Sequence, residues 1–269
     1  VATALTASDD LKAKQNFGFL RFNFDLHQKL LIEIGSSLNF FTYNYQSNFP
    51  LATSEKEKRF KARWMPKLAA SYLIGSNLTL RTSLSKGYSP PTLAEVRSSD
   101  NLINVNLQAE SGWNYEGGLR FQTTDQRFYA DGGLFYFNLK DAIVRRLNAN
   151  DIEYFINAGG TKQFGAELQL ITWLMKAKQA HFIKAIQLRN SYTYSRFRFT
   201  DFQNASQNFT GNQLTGVPTH TLVSSLNFTF NPNFYLFAQH NYTSSIPLND
   251  ANTVFAKAYH LVDLKAGFN

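Results

Sequence analysis

Hydrophobic and polar residues alternate along most of this chain. In LRFNFDLH, Leu20, Phe22, Phe24 and Leu26 fall on one side of an extended segment, and Arg21, Asn23, Asp25 and His27 fall on the other. NLTLRTSLS sets Leu78, Leu80 and Leu84 against Thr79, Arg81, Ser83 and Ser85, and TLVSSLNFTF sets Leu222, Leu226 and Phe228 against Ser225, Asn227 and Thr229. HLVDLKAGF closes the series, with Val262, Leu264, Ala266 and Phe268 opposite Asp263 and Lys265. This period of two predicts about eleven strands, near 15–26, 29–43, 65–73, 77–87, 111–122, 127–139, 154–174, 183–198, 218–230, 233–244 and 256–268.

The predicted connections alternate in length. LHQ, IGSN, TTDQ, KAKQAH and NPN are short; 44–64, 88–110, 140–153, 199–217 and 245–255 are long. Long loops at one end of a meander and tight turns at the other are the pattern of a transmembrane barrel, and strands of ten or more residues suit a tilted crossing of the bilayer. The fold class is therefore all-β, an antiparallel meander forming part of a transmembrane β-barrel. KGYSPPTLAEV (86–96) opens the second long connection, where Pro90 and Pro91 remove two backbone donors and end strand pairing at the rim.

Composition narrows the chemistry. Of the 269 residues 15% are aromatic, with 25 Phe and 13 Tyr, which favours pleated surfaces and apolar/water boundaries. With no cysteine, disulfides, zinc–thiolate sites and thiol nucleophiles are excluded. No apolar run is long enough for a membrane helix, which leaves barrels untouched. The start, VATALTASDD, lacks the basic and apolar regions of a secretion signal, so the expectation is that it is a cut rather than a natural beginning. A net charge of +8 points to anionic partners, with a generally basic surface as the plain alternative.

Four motifs in register give a resemblance. Gly87, Tyr88, Pro91 and Glu95 are followed by Asn106, Leu107, Glu110, Glu116 and Gly118, then by Asp141 and Ile143, then by Asn157, Gly159, Gly165 and Glu167. In order and spacing they resemble the barrel of the TonB-dependent outer-membrane receptors, and LTGVP (214–218) and IPLNDAN look similar to that family too. The resemblance implies a 22-stranded barrel in the outer membrane of a Gram-negative bacterium, of which this chain is an interior piece, about the tenth to twentieth strands. Nothing in the chain resembles the family's plug domain or its box for the energy-coupling protein, so 1–269 reads as a partial barrel domain. The implied function is uptake of a ferric siderophore or similar metal chelate, energised by the TonB complex through the plug. Cobalamin, haem and oligosaccharide receptors share the barrel. Expected partners are outer-membrane lipid, lipopolysaccharide and the small-molecule cargo, not nucleic acid.

No HExxH, GxSxG or phosphate-cradling loop occurs, so no enzyme activity, cofactor or resident metal is expected. Strand parity turns Glu116 and Glu167 into the lumen, where the candidate partners are an arginine of the plug or Arg81 or Arg120 across the wall, and a solvated lumen face is the plainer reading. Gly159, Gly160 and Gly165 are expected at a bulge or close approach. Ligand capture falls to loop residues Arg59, Lys61, Arg63, Tyr88, Arg97, Arg145 and Arg146, by charge and stacking; lipopolysaccharide phosphates are an equal alternative for such clusters, and a solvated basic surface is the plainer reading. His220, His240 and His260 share the oily parity and are expected to join a boundary girdle with Tyr242 and Tyr259 without meeting one another. Two rivals stand beside the receptor: a soluble β-sandwich or adhesin module binding polyanions, with its Leu/Phe faces packed on each other, and a porin-like channel without a plug.

Overall fold

The computed structural model describes residues 5, 7–97, 99, 103–148, 150–157, 159–176, 181–204 and 207–268. Strands β1 (Ser8–Leu26) and β2 (Leu30–Phe49) form the first long hairpin, and β3 (Lys56–Arg59) adds to the loop-side end of β2. Then come β4 (Arg63–Ile74), β5 (Leu78–Ser89), the single-turn helix α1 (Leu93–Val96), β6 (Glu110–Gln122) and β7 (Phe128–Lys140). A small hairpin, β8 (Ile143–Leu147) with β9 (Glu153–Asn157), precedes β10 (Gly160–Met175) and β11 (Ile183–Thr200). After β12 (Gln203–Asn204) and β13 (Gln207–Asn208) the wall resumes with β14 (His220–Phe230) and β15 (Phe234–Thr243). Last are β16 (Ile246–Pro247), β17 (Phe255–Ala256) and β18 (Tyr259–Phe268).

Eleven strands stand side by side in the order β1-β2-β4-β5-β6-β7-β10-β11-β14-β15-β18, every neighbour antiparallel. The meander expected from the alternation is thus present, with two adjustments. The first hairpin is longer than expected, because Ser8 pairs with Phe49 well beyond the last alternating residues. The strand expected over 154–174 is two: Gly159, at φ +49°, breaks the chain between β9, which belongs to a loop hairpin, and β10, which belongs to the wall. Sequence alternation continues through this break and so concealed it.

Tight turns lie at one end of the wall. His27 and Gln28 adopt φ of 54° and 57°, and Gly75 (φ 67°) and Asn233 (φ 84°) serve their hairpins in the same left-handed region. In the TTDQ turn the Thr123 hydroxyl and the Arg127 N–H hydrogen-bond Asp125, holding its carboxyl below the usual range. Of the KAKQAH link, 177–180 lie outside the described residues.

The register fixes the two faces. Leu80, Leu119, Gly132, Leu168, Tyr192 and Leu222 form one row across six strands, and the adjacent row on the other side is Arg81, Gly118, Gly133, Glu167, Thr193 and Thr221. Among the described residues no second sheet covers the oily rows: Leu134 is 56% exposed and Leu264 74%. The sandwich reading required these faces to pack on each other, and they do not. The polar side curves around an open trough of about 1230 Å³ lined by Glu33, Lys67, Arg81, Glu116, Asp131 and Glu167. Among the described residues no helix is long and apolar enough to cross a membrane, which says nothing against crossing by strands.

Among the described residues two apolar clusters form, both where the loops fold inward. At one, Pro91, Val96, Leu107 and Ala109 from the β5–β6 connection bury against Phe41 and Tyr43 of β2 and against Phe60. At the other, Phe199, Phe202 and Phe209 pack with Val144, Leu214 and Ala251.

The two faces give opposite responses to one charge. Leu168→Arg places it on the outward side and is expected to lower the stability of the lipid-embedded protein by about 2–4 kcal/mol, whereas Gln169→Arg, one residue on and facing the trough, stays near the parent value. Equilibrium urea unfolding in lipid vesicles measures both; equal losses would remove the assignment of faces.

Candidate functional site at the loop-bearing rim

KGYSPPTLAEV does more than stop a strand. After β5 ends at Ser89, the prolines turn the chain inward, and Thr92 starts α1 with a reciprocal cap: its hydroxyl accepts the Glu95 N–H, and the Glu95 carboxylate accepts the Thr92 N–H at 2.7 Å. Glu95 is thereby spent on its own turn. That turn aims Val96, fully buried, at the aromatic cluster of β2.

The other motif residues tie the next two connections to it. Glu110, the first residue of β6, accepts the Ile143 N–H at 2.7 Å and fixes the start of β8. Asn157 is the centre: its Oδ1 accepts the Gln108 N–H at 2.7 Å, and its Nδ2 donates to the carbonyls of Gln108 at 2.9 Å and Asp141 at 2.6 Å. The Gly159 carbonyl accepts the Asp141 N–H at 2.8 Å. A Cβ on Gly159 would overlap the carbonyl oxygens of Thr200 and Asp201, and one on Gly160 the carbonyl of Leu139, so close backbone approach requires both glycines. Gly165 lies under the Phe135 ring, which a Cβ would strike, and a Cβ on Gly118 would meet the Gly132 carbonyl at 2.6 Å. Gly87 has open space where its side chain would be, and nothing in its contacts requires glycine.

In the trough the two arginines take a partner other than Glu116 or Glu167, which keep the solvated lumen face. Arg81 and Arg120 both bind Asp131, the second at 2.6 Å, and the Tyr129 hydroxyl donates to the same carboxylate at 3.0 Å. Arg81 lies opposite Gly118, whose missing side chain lets the guanidinium cross β6 to reach β7. Glu116 accepts from Ser83 at 3.2 Å and Asn114 at 2.5 Å, while Glu167 faces the trough with no partner among the described residues. Asp131 was missed although a signal existed: the TTDQ turn pairs Arg120 directly with it across the β6–β7 hairpin.

The seven loop candidates do not converge, and none lines the trough. Arg59 pairs with Glu57 at 2.8 Å and Lys61 is exposed. Arg97 binds Asp9 of β1, and Arg145 binds Glu153 within the β8–β9 hairpin at 2.6 Å. Arg146 joins three loops: it binds Asp250 at 2.7 Å and lies 4.5 Å over the Phe202 ring, while Asp250 also accepts from Thr215 at 2.6 Å. Its Nε and Nη2 are buried without partners. Arg63 and Tyr88 do meet, the guanidinium 5.9 Å from the ring centre, and both the Arg63 Nε and the Tyr88 hydroxyl are buried without a partner.

The histidines lie in the outward rows with Tyr192 and Tyr242, as a girdle requires. The expectation that they stay apart fails for two: His240 Nε2 and His260 Nδ1 are 2.9 Å apart, because a diagonal across β15 and β18 brings long side chains of one face together. His220 bonds the Tyr192 hydroxyl at 2.8 Å. Among the described residues no three His, Cys, Asp or Glu side chains gather to hold a metal ion.

A single-layered antiparallel wall, oily outside and wet inside, with its long connections folded into the lumen, defines a barrel segment of outer-membrane type. The family model described as "TonB dependent receptor-like, beta-barrel" matches residues 2–269, and the chain belongs to that family. The family is one of outer-membrane receptors and transporters of Gram-negative bacteria, not of enzymes. Among solved structures the chain is similar to the siderophore receptor PiuA from Acinetobacter baumannii (18% identity, TM-score 0.76, covering 97% of this chain and 37% of that one). It is also similar to the ferric citrate transporter FecA in unliganded form (16%, 0.76, 97% and 38%) and to the copper transporter OprC (12%, 0.75, 97% and 40%). The chain spans about two-fifths of the length of these structures.

Two substitutions test the clasp. Asn157→Ala removes three hydrogen bonds and is expected to lower stability by about 1–3 kcal/mol and to speed proteolysis within the β5–β6 connection. Gly159→Ala forces an unfavourable φ as well as a backbone overlap, and is expected to cost about as much or more. Limited proteolysis and unfolding midpoints read both; wild-type values would show that the clasp holds nothing.

Proposed function

We propose that this chain forms eleven strands of the barrel of an outer-membrane receptor that imports a ferric siderophore or similar anionic metal chelate. The observation that carries the reading is the wall itself: outward rows of Leu, Phe and Tyr, inward rows of Arg, Glu, Asp and Thr, and every long connection at one end. Because eleven strands alternate in direction, β1 and β18 run the same way, so antiparallel closure takes an odd number of further strands; the resemblance implies eleven. A plug domain carried elsewhere in the protein would fill the lumen and receive energy from the TonB complex, which would place this chain in the outer membrane with lipid and lipopolysaccharide around it.

For cargo, the support is a formal charge of +8 and cations at the rim. Arg63 and Tyr88 are the strongest pair for contact, since they meet each other, each holds a buried polar atom with no partner among the described residues, and Arg63, unlike Arg146, is in no ion pair there. Lys61 and Arg59 would add charge at the entrance. Arg97, Arg145 and Arg146 are given to shaping the loops instead.

Growth of a strain lacking the receptor, on a panel of ferric chelates as sole iron source, tests the cargo class; uptake unchanged for every chelate would overturn it. Arg63→Gln combined with Tyr88→Phe is expected to raise the half-saturating chelate concentration about tenfold, equivalent to about 1.4 kcal/mol, without changing the amount of receptor in the membrane.

A further inference from the structure

The outward face of the wall is not uniformly oily. Register places Lys86, Trp113, Asn138, Lys162 and Arg198 in one row across β5, β6, β7, β10 and β11, at the loop-bearing end. The next row toward the turns holds Leu84, Tyr115, Tyr136, Phe164 and Arg196, and below it lie Leu134, Ala166 and Tyr194. Lys162 is the direct cross-strand partner of Arg198, and Phe164 of Arg196. Two cations directly opposite each other repel, so this pairing favours an anion bound between them.

No acid on the wall offsets it. The acidic residues of the long strands from β5 to β11 are Glu110, Glu116, Asp131 and Glu167, and register sets all four on the inner face. Among the described residues every ion pair lies elsewhere, so Lys162, Arg196 and Arg198 have no carboxylate partner. Arg198 donates through Nη1 to the Gly211 carbonyl at 2.5 Å, yet its Nε is buried without a partner. Beside these arginines the wall opens into a notch of about 270 Å³, bounded by Arg196, Arg198, Gln213 and His220. At the turn-bearing end, by contrast, Arg127 is neutralised by Asp125 at 3.3 Å.

We propose that Lys162, Arg196 and Arg198 bind the phosphorylated headgroup of an anionic lipid of the outer leaflet, whose acyl chains lie along the aromatic and aliphatic rows beneath. The arrangement matches such a lipid in both halves. Guanidinium forks grip phosphate oxygens in pairs and an ammonium adds a point charge. Phe164, Tyr194, Leu134 and Leu168 offer hydrocarbon contact on the same face. Carboxylate cargo entering through the lumen would meet the opposite face of the sheet and is not the occupant. The inference rests on the membrane-barrel reading.

The test uses the complete receptor containing this chain, folded in detergent, with native mass spectrometry reading bound lipid. The probes are diphosphorylated lipid A, the same lipid stripped of phosphate, and zwitterionic phosphatidylethanolamine. Wild type is expected to retain the diphosphorylated lipid selectively, and K162Q/R196Q/R198Q to lose at least about tenfold of that retention. Should the triple variant fail to fold, Arg196→Gln alone, at an exposed position, is expected to lose about threefold. Equal retention by wild type and variant, or equal retention of the phosphorylated and stripped lipids, would overturn the site. Saturation by inorganic phosphate alone at the same concentration would assign it to a free anion and overturn the lipid. A receptor monomeric and folded in plain buffer would instead remove the barrel reading, so the two failures are distinguishable.

Discussion

Inside hydrocarbon, a backbone N–H or C=O without a partner costs several kcal/mol, and no water is there to supply one. This constraint orders the whole chain. Eleven neighbouring strands, each antiparallel to the next, satisfy one another through continuous ladders, such as the unbroken register between Gly160 and Thr172 of β10 and its partners on β7. The constraint says nothing about side chains, so the two faces are free to specialise. One presents uncovered leucines such as Leu134, 56% exposed, and Leu264, 74% exposed; the other carries arginines, acids and hydroxyls around the trough. A globular core would have been built from the first set. Here the two apolar clusters form where loops return into the lumen, and a few wall residues such as Ala185 and Gln187 of β11 are buried besides.

Those loops explain the motif pattern better than ligand contact does. Pro91, Glu95, Leu107, Glu110, Asp141, Ile143, Asn157 and Gly159 are far apart in sequence but meet in one clasp, in which each supplies a hydrogen bond, a buried apolar group or a close backbone approach. The clasp ties β5, β6, β7 and β10 at their loop-bearing ends. LTGVP and the IPLNDAN loop are joined in the same way, through Thr215 and Asp250, the Gly216 N–H on the Pro247 carbonyl, and Arg146 reaching over from the β8–β9 hairpin. These motif residues hold the loop-bearing rim in shape.

The lumen network follows from the same economy of positions. Asp131 accepts from Arg81, Arg120 and Tyr129, so one carboxylate orders two cations on two other strands. Glu116 and Glu167 are left to hydroxyl and amide partners or to none, which keeps negative charge available on the inner wall. Lys162, Arg196 and Arg198 on the outward face lack any such acid among the described residues, and the difference between the faces is therefore one of charge balance as well as of polarity.

Read alone, the sequence determined the number, direction and facing of the long strands, because period-two alternation and loop length are local properties that survive in any context. It also determined that the double proline ends β5. It did not place the break at Gly159, since alternation runs through β9 into β10 and only the close approach of Thr200 and Asp201 demands the left-handed turn. Nor did it assign partners. Arg81 with Asp131, Asn157 with Gln108, Arg146 with Asp250 and His240 with His260 are separated by 20 to 104 residues, and a choice among many possible charges and amides is made by register and loop docking. Local pattern fixes which way a side chain points; what it meets there depends on how the strands are aligned in space.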